Sequence, residues 1–226
     1  MYYVNKEIVT LRVSKHRMIN YCYLVIDPVT RDALAIDPAW ELDTVLQALE
    51  ERDAVLRKIF VTHHHGDHLN LAVPLAEMFN LDIVMSQEEV DTYGVAIPHL
   101  ETFSGKTFIS AGSLFVQTLP TPGHTAGSTC YLVDNNLFTG DTLFNEGCGV
   151  CVGKGADPSA LYQSLNMLKR YIPADTRVFP GHRFSTELGQ PFSELLRYNM
   201  YLCMPDEATF RRFRMRDVKD RMFAFI

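Results

Sequence analysis

The stretch 61-VTHHHGDHLN-70 places four histidines and one aspartate within six residues, directly behind the apolar run Ile59-Phe60-Val61. A short apolar run of this kind reads as a buried strand over Ile59 to Thr62. Side chains alternate faces along an extended chain, so His63 and His65 can point the same way as that strand leaves its sheet. Asp67 and His68 then fall on the turn after Gly66, within reach of a second point, so the segment can serve two metal ions. A loose metal-sequestering surface tract would use the same residue types. A run lodged between a buried strand and an apolar helix, expected over Leu71 to Phe79 with Pro74 in its first turn, fits such a tract poorly.

Further candidate ligands lie at three other strand ends, each beside glycine or proline. The segment 120-PTPGHTAGS-128 carries His124, 137-LFTGDTLF-144 carries Asp141, and 179-FPGHR-183 carries His182.

The rest of the chain frames these positions. With 226 residues, 47% hydrophobic and 21% charged, it has the composition of an ordinary globular protein, and a single domain is expected. A formal net charge of -6 gives no general attraction to nucleic acid or to an anionic membrane. The N-terminal MYYVNKEIVTLRV alternates polar and apolar residues without a continuous apolar core, and no long apolar run follows, so a cytoplasmic protein is expected. Five irregularly spaced cysteines are read as reduced thiols.

Strand-like and helix-like patterns alternate. Tyr21 to Ile26 and Ala33 to Ile36 read as a hairpin about Asp27-Pro28, Asp43 to Arg52 as a helix, and Asp82 to Met85 as a strand. Hairpins are expected over 107–118 and over Thr129–Val133 with Leu137–Thr139. Asp157 and Pro158 mark a helix start, with Leu161, Leu165 and Leu168 facing inward to about Arg170. Arg177 to Phe179 reads as a late strand and Phe192 to Leu202 as a helix. Hairpins first and helices later suggest mixed sheets covered by helices.

The pattern His63-x-His65-x-Asp67-His68, followed by His124, Asp141 and His182, resembles the metallo-β-lactamase superfamily from about Asp37 to His182. The resemblance implies an α+β fold, a four-layer αββα sandwich with its metal site along one edge. It implies one domain over residues 1–226, with a short helical and basic extension from about residue 185. By the same resemblance His63, His65 and His124 hold a first metal and Asp67, His68 and His182 a second. Asp141 bridges them, and Asp67 and Asp141 count as the catalytic carboxylates. Asp37 resembles the aspartate that orients a ligand histidine. His64 is not a ligand position, and His16 and His99, with no motif around them, are read as structural or surface residues.

Imidazole and carboxylate suit zinc, and iron and manganese accept the same ligands. The flavin-linked di-iron relatives carry an acidic residue where this chain has His65, which favours Zn2+, two ions per chain. Two such metals lower the pKa of a shared water to about 7, giving a hydroxide able to attack a carbonyl, so the implied reaction is hydrolysis.

The bridging position narrows the substrate. The classical antibiotic-degrading lactamases generally carry Cys where this chain has Asp141, whereas 140-GDTLFNEGCG-149 is similar to the hydroxyacylglutathione hydrolases, which cleave a thioester. That group continues into Arg-Phe where this chain has Val150-Cys151, and only 44 residues follow His182, too few for a full glutathione-binding helical domain. The stretches 18-MINYCYLVID-27 and 145-NEGCGVC-151 and the ending 210-FRRFRMRDVKDRMFAFI-226 resemble the glyoxalase-II-like hydrolases encoded with trans-acyltransferase polyketide synthases. That resemblance implies an acyl thioester carried by a carrier protein, coenzyme A or a small thiol. A lactonase or other ester hydrolase shares the ligand set, and a metal-retaining carrier-binding module or thiol redox sensor stands as the non-enzymatic reading.

Two further features stay open. From Arg211 to Arg221 six basic residues face only Asp217 and Asp220, interleaved with aromatics. They form either a solvated helix face packed through its rings or a dock for a phosphopantetheine phosphate or an acyl carrier protein, through arginine. Cys148-x-x-Cys151 has redox spacing, but the flanking Gly147 and Gly149 favour a substrate loop beside the metals.

Overall fold

A computed structural model describes residues 5–216. Two six-stranded mixed sheets make the frame. In the first, β1 (Glu7–Lys15), β2 (Met18–Ile26) and β3 (Asp32–Ile36) pair antiparallel, and β4 (Val55–Phe60), β5 (Ile83–Ser86) and β6 (Leu100–Phe103) continue in parallel. Parallel neighbours need crossover connections. Here α1 (Leu42–Glu50), the short α2 (Gly66–Leu69) with α3 (Ala72–Phe79), and α4 (Gln87–Tyr93) supply them.

The second sheet runs β7 (Phe108–Ala111), β8 (Leu114–Pro120), β9 (Thr129–Val133) and β10 (Asn136–Gly140) antiparallel, then β11 (Arg177–Pro180) parallel to β10. The crossover between β10 and β11 is α5 (Pro158–Tyr171). Asp157 caps it by accepting from the Ser159 nitrogen at 2.7 Å, with Pro158 at its first position. The two-residue β12 (Gln190–Pro191), α6 (Phe192–Tyr198) and α7 (Glu207–Arg214) follow.

Three apolar cores separate four layers. Alternation along β2 sends Tyr21, Tyr23 and Val25 to one face and Cys22, Leu24 and Ile26 to the other, and both faces are buried. The first set meets Leu114, Val116, Tyr131 and Phe138 of the second sheet. The second set meets Val45, Leu49, Leu75 and Ala76 of α1 and α3. On the outer face of the second sheet, Leu137 and Val178 pack with Leu161, Leu165 and Leu168 of α5, Phe192 and Leu195 of α6, and Phe210 of α7. This is the α+β, αββα sandwich expected.

Several elements differ from expectation. The N-terminal polar–apolar alternation, where no strand is expected above, forms the nine-residue strand β1. Helix α4 and strand β6 were not anticipated. QEEVDTY is short and polar, and its start depends on the Ser86 hydroxyl accepting from the Glu89 nitrogen at 3.2 Å. The last expected helix stops at Tyr198 rather than Leu202. Asn199 leaves the helix with ψ 109° and gives its side-chain amide to the carbonyls of Phe144 and Gly147 at 2.8 and 2.9 Å. The basic tail from Asp217 onward lies outside the described residues. Among the described residues no helix is long and apolar enough to cross a membrane.

Candidate metal centre

Parallel strands leave chain ends on one edge, and ligands collect where such strands finish. Here β3 ends into Asp37, β4 into His63 to His68, β8 into His124, β10 into Asp141 and β11 into His182. These elements bring all seven sequence-selected residues to one place. Three groups of potential donor atoms lie within 4.8 Å of one another: His63, His65 and His124; His63, His68 and Asp141; and Asp67, His68 and His182.

The imidazole orientations follow from what lies outside the cluster. His68 Nδ1 faces Asp37 Oδ2 at 2.8 Å, His124 Nδ1 the Val150 carbonyl at 2.7 Å, and His182 Nδ1 the Ile19 carbonyl at 2.7 Å. Thr62 Oγ1 donates to Asp37 Oδ2 at 2.7 Å and so accepts from His63 Nδ1 at 3.0 Å. A ring nitrogen that donates outward fixes the tautomer and leaves the other nitrogen's lone pair pointing in. Asp37 thus holds two histidines through one carboxylate, in a left-handed backbone conformation of φ 49°, and also accepts from the Thr62 nitrogen at 2.7 Å.

The inward atoms test whether a metal fits. His63 Nε2 and His124 Nε2 lie 2.9 and 3.1 Å from His65 Nδ1. Asp141 Oδ1 lies 3.3 Å from His68 Nε2 and 3.5 Å from His182 Nε2, while its Oδ2 lies 3.7 Å from His124 Nε2. The other carboxylate, Asp67 Oδ2, is 3.4 Å from His182 Nε2 and accepts from Asn20 Nδ2 at 2.9 Å. His68 Nε2 and Asp141 Oδ1 are buried without a hydrogen-bond partner. Buried polar atoms are otherwise almost always paired, so convergent unpartnered nitrogens and oxygens fit cations coordinated by N and O.

Electrostatics divide the rings: burial lowers His68, but the Asp141, Asp67 and Asp37 carboxylates outweigh it and raise that imidazole well above its ordinary range, the attraction that a bound cation would also feel. Burial, reinforced by His68 and His124, holds His63 well below the ordinary imidazole range. Burial and His124 bring His65 down to about 4, so both rings are neutral and offer lone pairs. Burial raises the Asp141 carboxyl, but His182 and His68 outweigh it and hold the group below the usual carboxylate range. Asp67 is likewise held low, with His68 opposing burial.

Close backbone approach completes the site. A Cβ on Gly149 would meet the Asp141 carbonyl oxygen and His124 Nδ1, and one on Gly181 would meet His68 Cε1 and Asp141 Oδ1.

Some residues the sequence singled out lie elsewhere. His64 turns away, stacked on Tyr93 with ring centroids 3.8 Å apart, and its Nδ1 faces Glu89 Oε1 at 2.6 Å. His16 and His99 are exposed turn residues with φ near 56° and 58°. Cys148 and Cys151, by contrast, are buried on the loop whose Val150 carbonyl faces His124, beside the cluster, and Cys148 lines its cavity. Burial pushes the Cys151 thiol up to about 12 and raises Cys148 as well, which removes the exposed thiolate a redox sensor needs.

Others were missed by the sequence reading. Glu89, fully buried, accepts from the His64 nitrogen at 2.8 Å through Oε1, and from Thr125 Oγ1 and the Gly127 nitrogen at 2.9 and 2.8 Å through Oε2. It ties the loop of His63–His68 to the loop of His124. Asn20, oriented by the Trp40 indole at 2.8 Å, holds Asp67. No motif surrounds either residue.

The cluster floors a cavity of about 590 Å³. Met18, Phe144, Phe184, Tyr201 and Phe213 give it apolar walls, and Glu146, Cys148, Arg214 and Arg216 also line it.

An αββα sandwich with a histidine–aspartate cluster at its strand ends defines a metal-dependent hydrolase. The metallo-beta-lactamase superfamily profile matches residues 17–182, and the chain belongs to that superfamily. It is 41% identical over 207 residues to a probable polyketide biosynthesis zinc-dependent hydrolase, BaeB, of Bacillus velezensis, covering 91% of this chain and 92% of that one. It is 36% identical over 170 residues to a hydroxyacylglutathione hydrolase of Thermosynechococcus vestitus, covering 74% of this chain and 64% of that one. The crystal structure of ETHE1 from Myxococcus xanthus superposes with a TM-score of 0.83 at 29% identity, covering 96% of this chain and 94% of that one.

Proposed function

We propose that the chain hydrolyses acyl thioesters in polyketide biosynthesis, as a cytoplasmic zinc enzyme with two ions per chain. The observation that carries this is the placement of Asp141, whose two carboxylate oxygens face His68 with His182 and His124 respectively, on the floor of an apolar cavity.

In this reading His63, His65 and His124 would hold one ion and Asp67, His68 and His182 the other, with Asp141 a ligand that both could share. Zinc held there would supply an acidified water near neutral pH and a Lewis acid for the carbonyl oxygen. The chain's own residues do the rest. Asp37, Thr62 and the carbonyls of Ile19 and Val150 fix the four outward Nδ1 atoms, so the inward nitrogens are set before substrate arrives. Asn20 keeps Asp67 Oδ2 turned to His182. Met18, Phe144 and Phe184 line the space an apolar acyl chain would fill and exclude water from it. A thiolate leaves readily because its conjugate acid has a pKa of about 8.5, so the cavity need not provide a proton donor to the leaving group.

The Bacillus relative's name places it in polyketide biosynthesis with zinc, and high identity across nearly the full length of both chains supports carrying that setting over. Unpaired thiols at Cys22, Cys130, Cys148, Cys151 and Cys203 suit a reducing compartment. The chain is read as one domain, with residues from about 185 onward closing one side of the cavity through Tyr201, Phe213 and Arg214.

Turnover of zinc-loaded protein on one acyl group presented as thioester, oxygen ester and lactone tests this. Preference for the thioester supports the reading; preference for the lactone replaces it with a lactonase.

A further inference from the structure

We infer that Arg214 and Arg216 form an anion subsite of the catalytic cavity that takes the phosphate of a phosphopantetheine-type thiol. The inference rests on the thioester reading and specifies the thiol half of the substrate.

The chain carries a net charge of -6, yet two guanidinium groups reach the cavity that holds the histidine–aspartate cluster. Among the described residues neither is neutralised by a carboxylate; the described arginine ion pairs belong to Arg31, Arg52, Arg57, Arg183 and Arg197. Among the described residues Arg214 donates to the uncharged Tyr201 hydroxyl at 3.1 Å and Cys148 carbonyl at 3.4 Å, and its Nε is buried without a partner. Arg216 donates to the Phe213 carbonyl at 2.9 Å and lies over the Phe213 ring, 3.3 Å from its centroid.

Aromatic faces therefore hold both guanidiniums while leaving donors unspent, an arrangement suited to bidentate capture of an oxyanion. Their position is fixed from below by Phe210, which is fully buried against Tyr162 and Tyr201. Glu146, on the same cavity, turns its Oε1 to the Ser185 and Thr186 nitrogens at 3.0 and 2.5 Å, while its Oε2 is buried without a hydrogen-bond partner.

Phosphate fits better than the carboxylates of glutathione. The alignment covers 92% of the polyketide hydrolase at 41% identity and 64% of the hydroxyacylglutathione hydrolase at 36%, which favours the thiol of polyketide biosynthesis. Two guanidinium forks on one cavity wall offer donors to the several acceptor oxygens of a phosphate. Coenzyme A and a carrier protein's prosthetic arm share that group, as does free 4'-phosphopantetheine.

The test compares one acyl group as its pantetheine, 4'-phosphopantetheine, coenzyme A, carrier-protein and glutathione thioesters. The expected KM for the 4'-phosphopantetheine thioester is about ten- to a hundredfold below that for the pantetheine thioester, the range of charge-assisted bonds. In Arg216→Gln and the Arg214→Gln/Arg216→Gln pair, that ratio should fall toward one, and Arg216→Lys should restore part of it. A lower KM on coenzyme A or on carrier protein supports the subsite and identifies the source. A ratio of one in the unmodified protein, a ratio kept in the double variant, or preference for glutathione overturns it. Calorimetry of the zinc-loaded protein with 4'-phosphopantetheine and with pantetheine, before and after Arg216→Gln, gives a readout without turnover. If no thioester is cleaved the thioester reading falls, and the subsite stands or falls on whether phosphate-dependent binding is seen and is lost in the variant.

Discussion

His64 Nδ1 lies 2.6 Å from Oε1 of Glu89, a carboxylate with no solvent exposure whose second oxygen reaches Thr125 and Gly127. The histidine between two candidate ligands therefore braces the loops that present them. Glu89→Gln turns one acceptor into a donor facing existing donors, and each such conflict costs about 1–3 kcal/mol. Zinc affinity should fall by about 10- to 100-fold, as for other residues that support ligands, read by competition with a chelator. Unchanged affinity and unchanged thermal stability would show the brace to be idle.

Gly149 and Gly147 make a matched pair. Alanine at 149 puts a methyl group into the Asp141 carbonyl and His124 Nδ1, whereas at 147 the nearest atom is Tyr201 Cε2 at 3.7 Å. Gly149→Ala should cost about 1–3 kcal/mol and release zinc more readily. Gly147→Ala should stay within about 0.5 kcal/mol of the parent in thermal unfolding.

Phe210→Ala removes a fully buried ring between Tyr162 and Tyr201. A loss of about 3–5 kcal/mol is expected in denaturant unfolding. Because α7 carries Phe213 and Arg214 to the cavity, Phe210→Leu, which keeps much of the volume, should raise KM more than it lowers kcat.

Acid sensitivity has a local source away from the metals. Lys6 bonds Asp27 Oδ2 at 2.8 Å, and the Val29 and Thr30 nitrogens bond Oδ1 at 2.8 and 3.1 Å. The ammonium first, then these N–H groups, hold the carboxyl below its usual range against burial. A depressed carboxylate stabilises the fold above its unfolded pKa of about 3.9, and that contribution is lost as pH falls through the lower folded value. Asp27→Asn should therefore be less stable than the parent by about 1 kcal/mol at pH 7, with the gap closing below about pH 4.

Much of the site was readable because its ligands sit in short Gly- and Pro-flanked segments directly after apolar strands: His63 to His68, His124, Asp141 and His182. The supporting residues were not. Glu89 acts on His64 from 25 positions away, and Asn20 acts on Asp67 from 47, with nothing local to mark either. The fold was legible where burial imposed periodicity, as in β2 and α5. It was not in α4, where Ser86 and the buried Glu89 rather than an apolar stripe set the helix. Phe192 to Leu202 looked continuously helical because no sequence rule announces that Asn199 will leave the helix to bond the carbonyls of the Phe144–Gly147 loop.

The central claim is tested most directly by titrating zinc into metal-free protein while following hydrolysis of an acyl N-acetylcysteamine thioester, with Asp141→Asn alongside. Activity that climbs until two equivalents are bound, and is lost in the variant as the second equivalent binds more weakly, is the predicted result. Full activity at one equivalent, or two bound ions with no cleavage of any thioester, would contradict it.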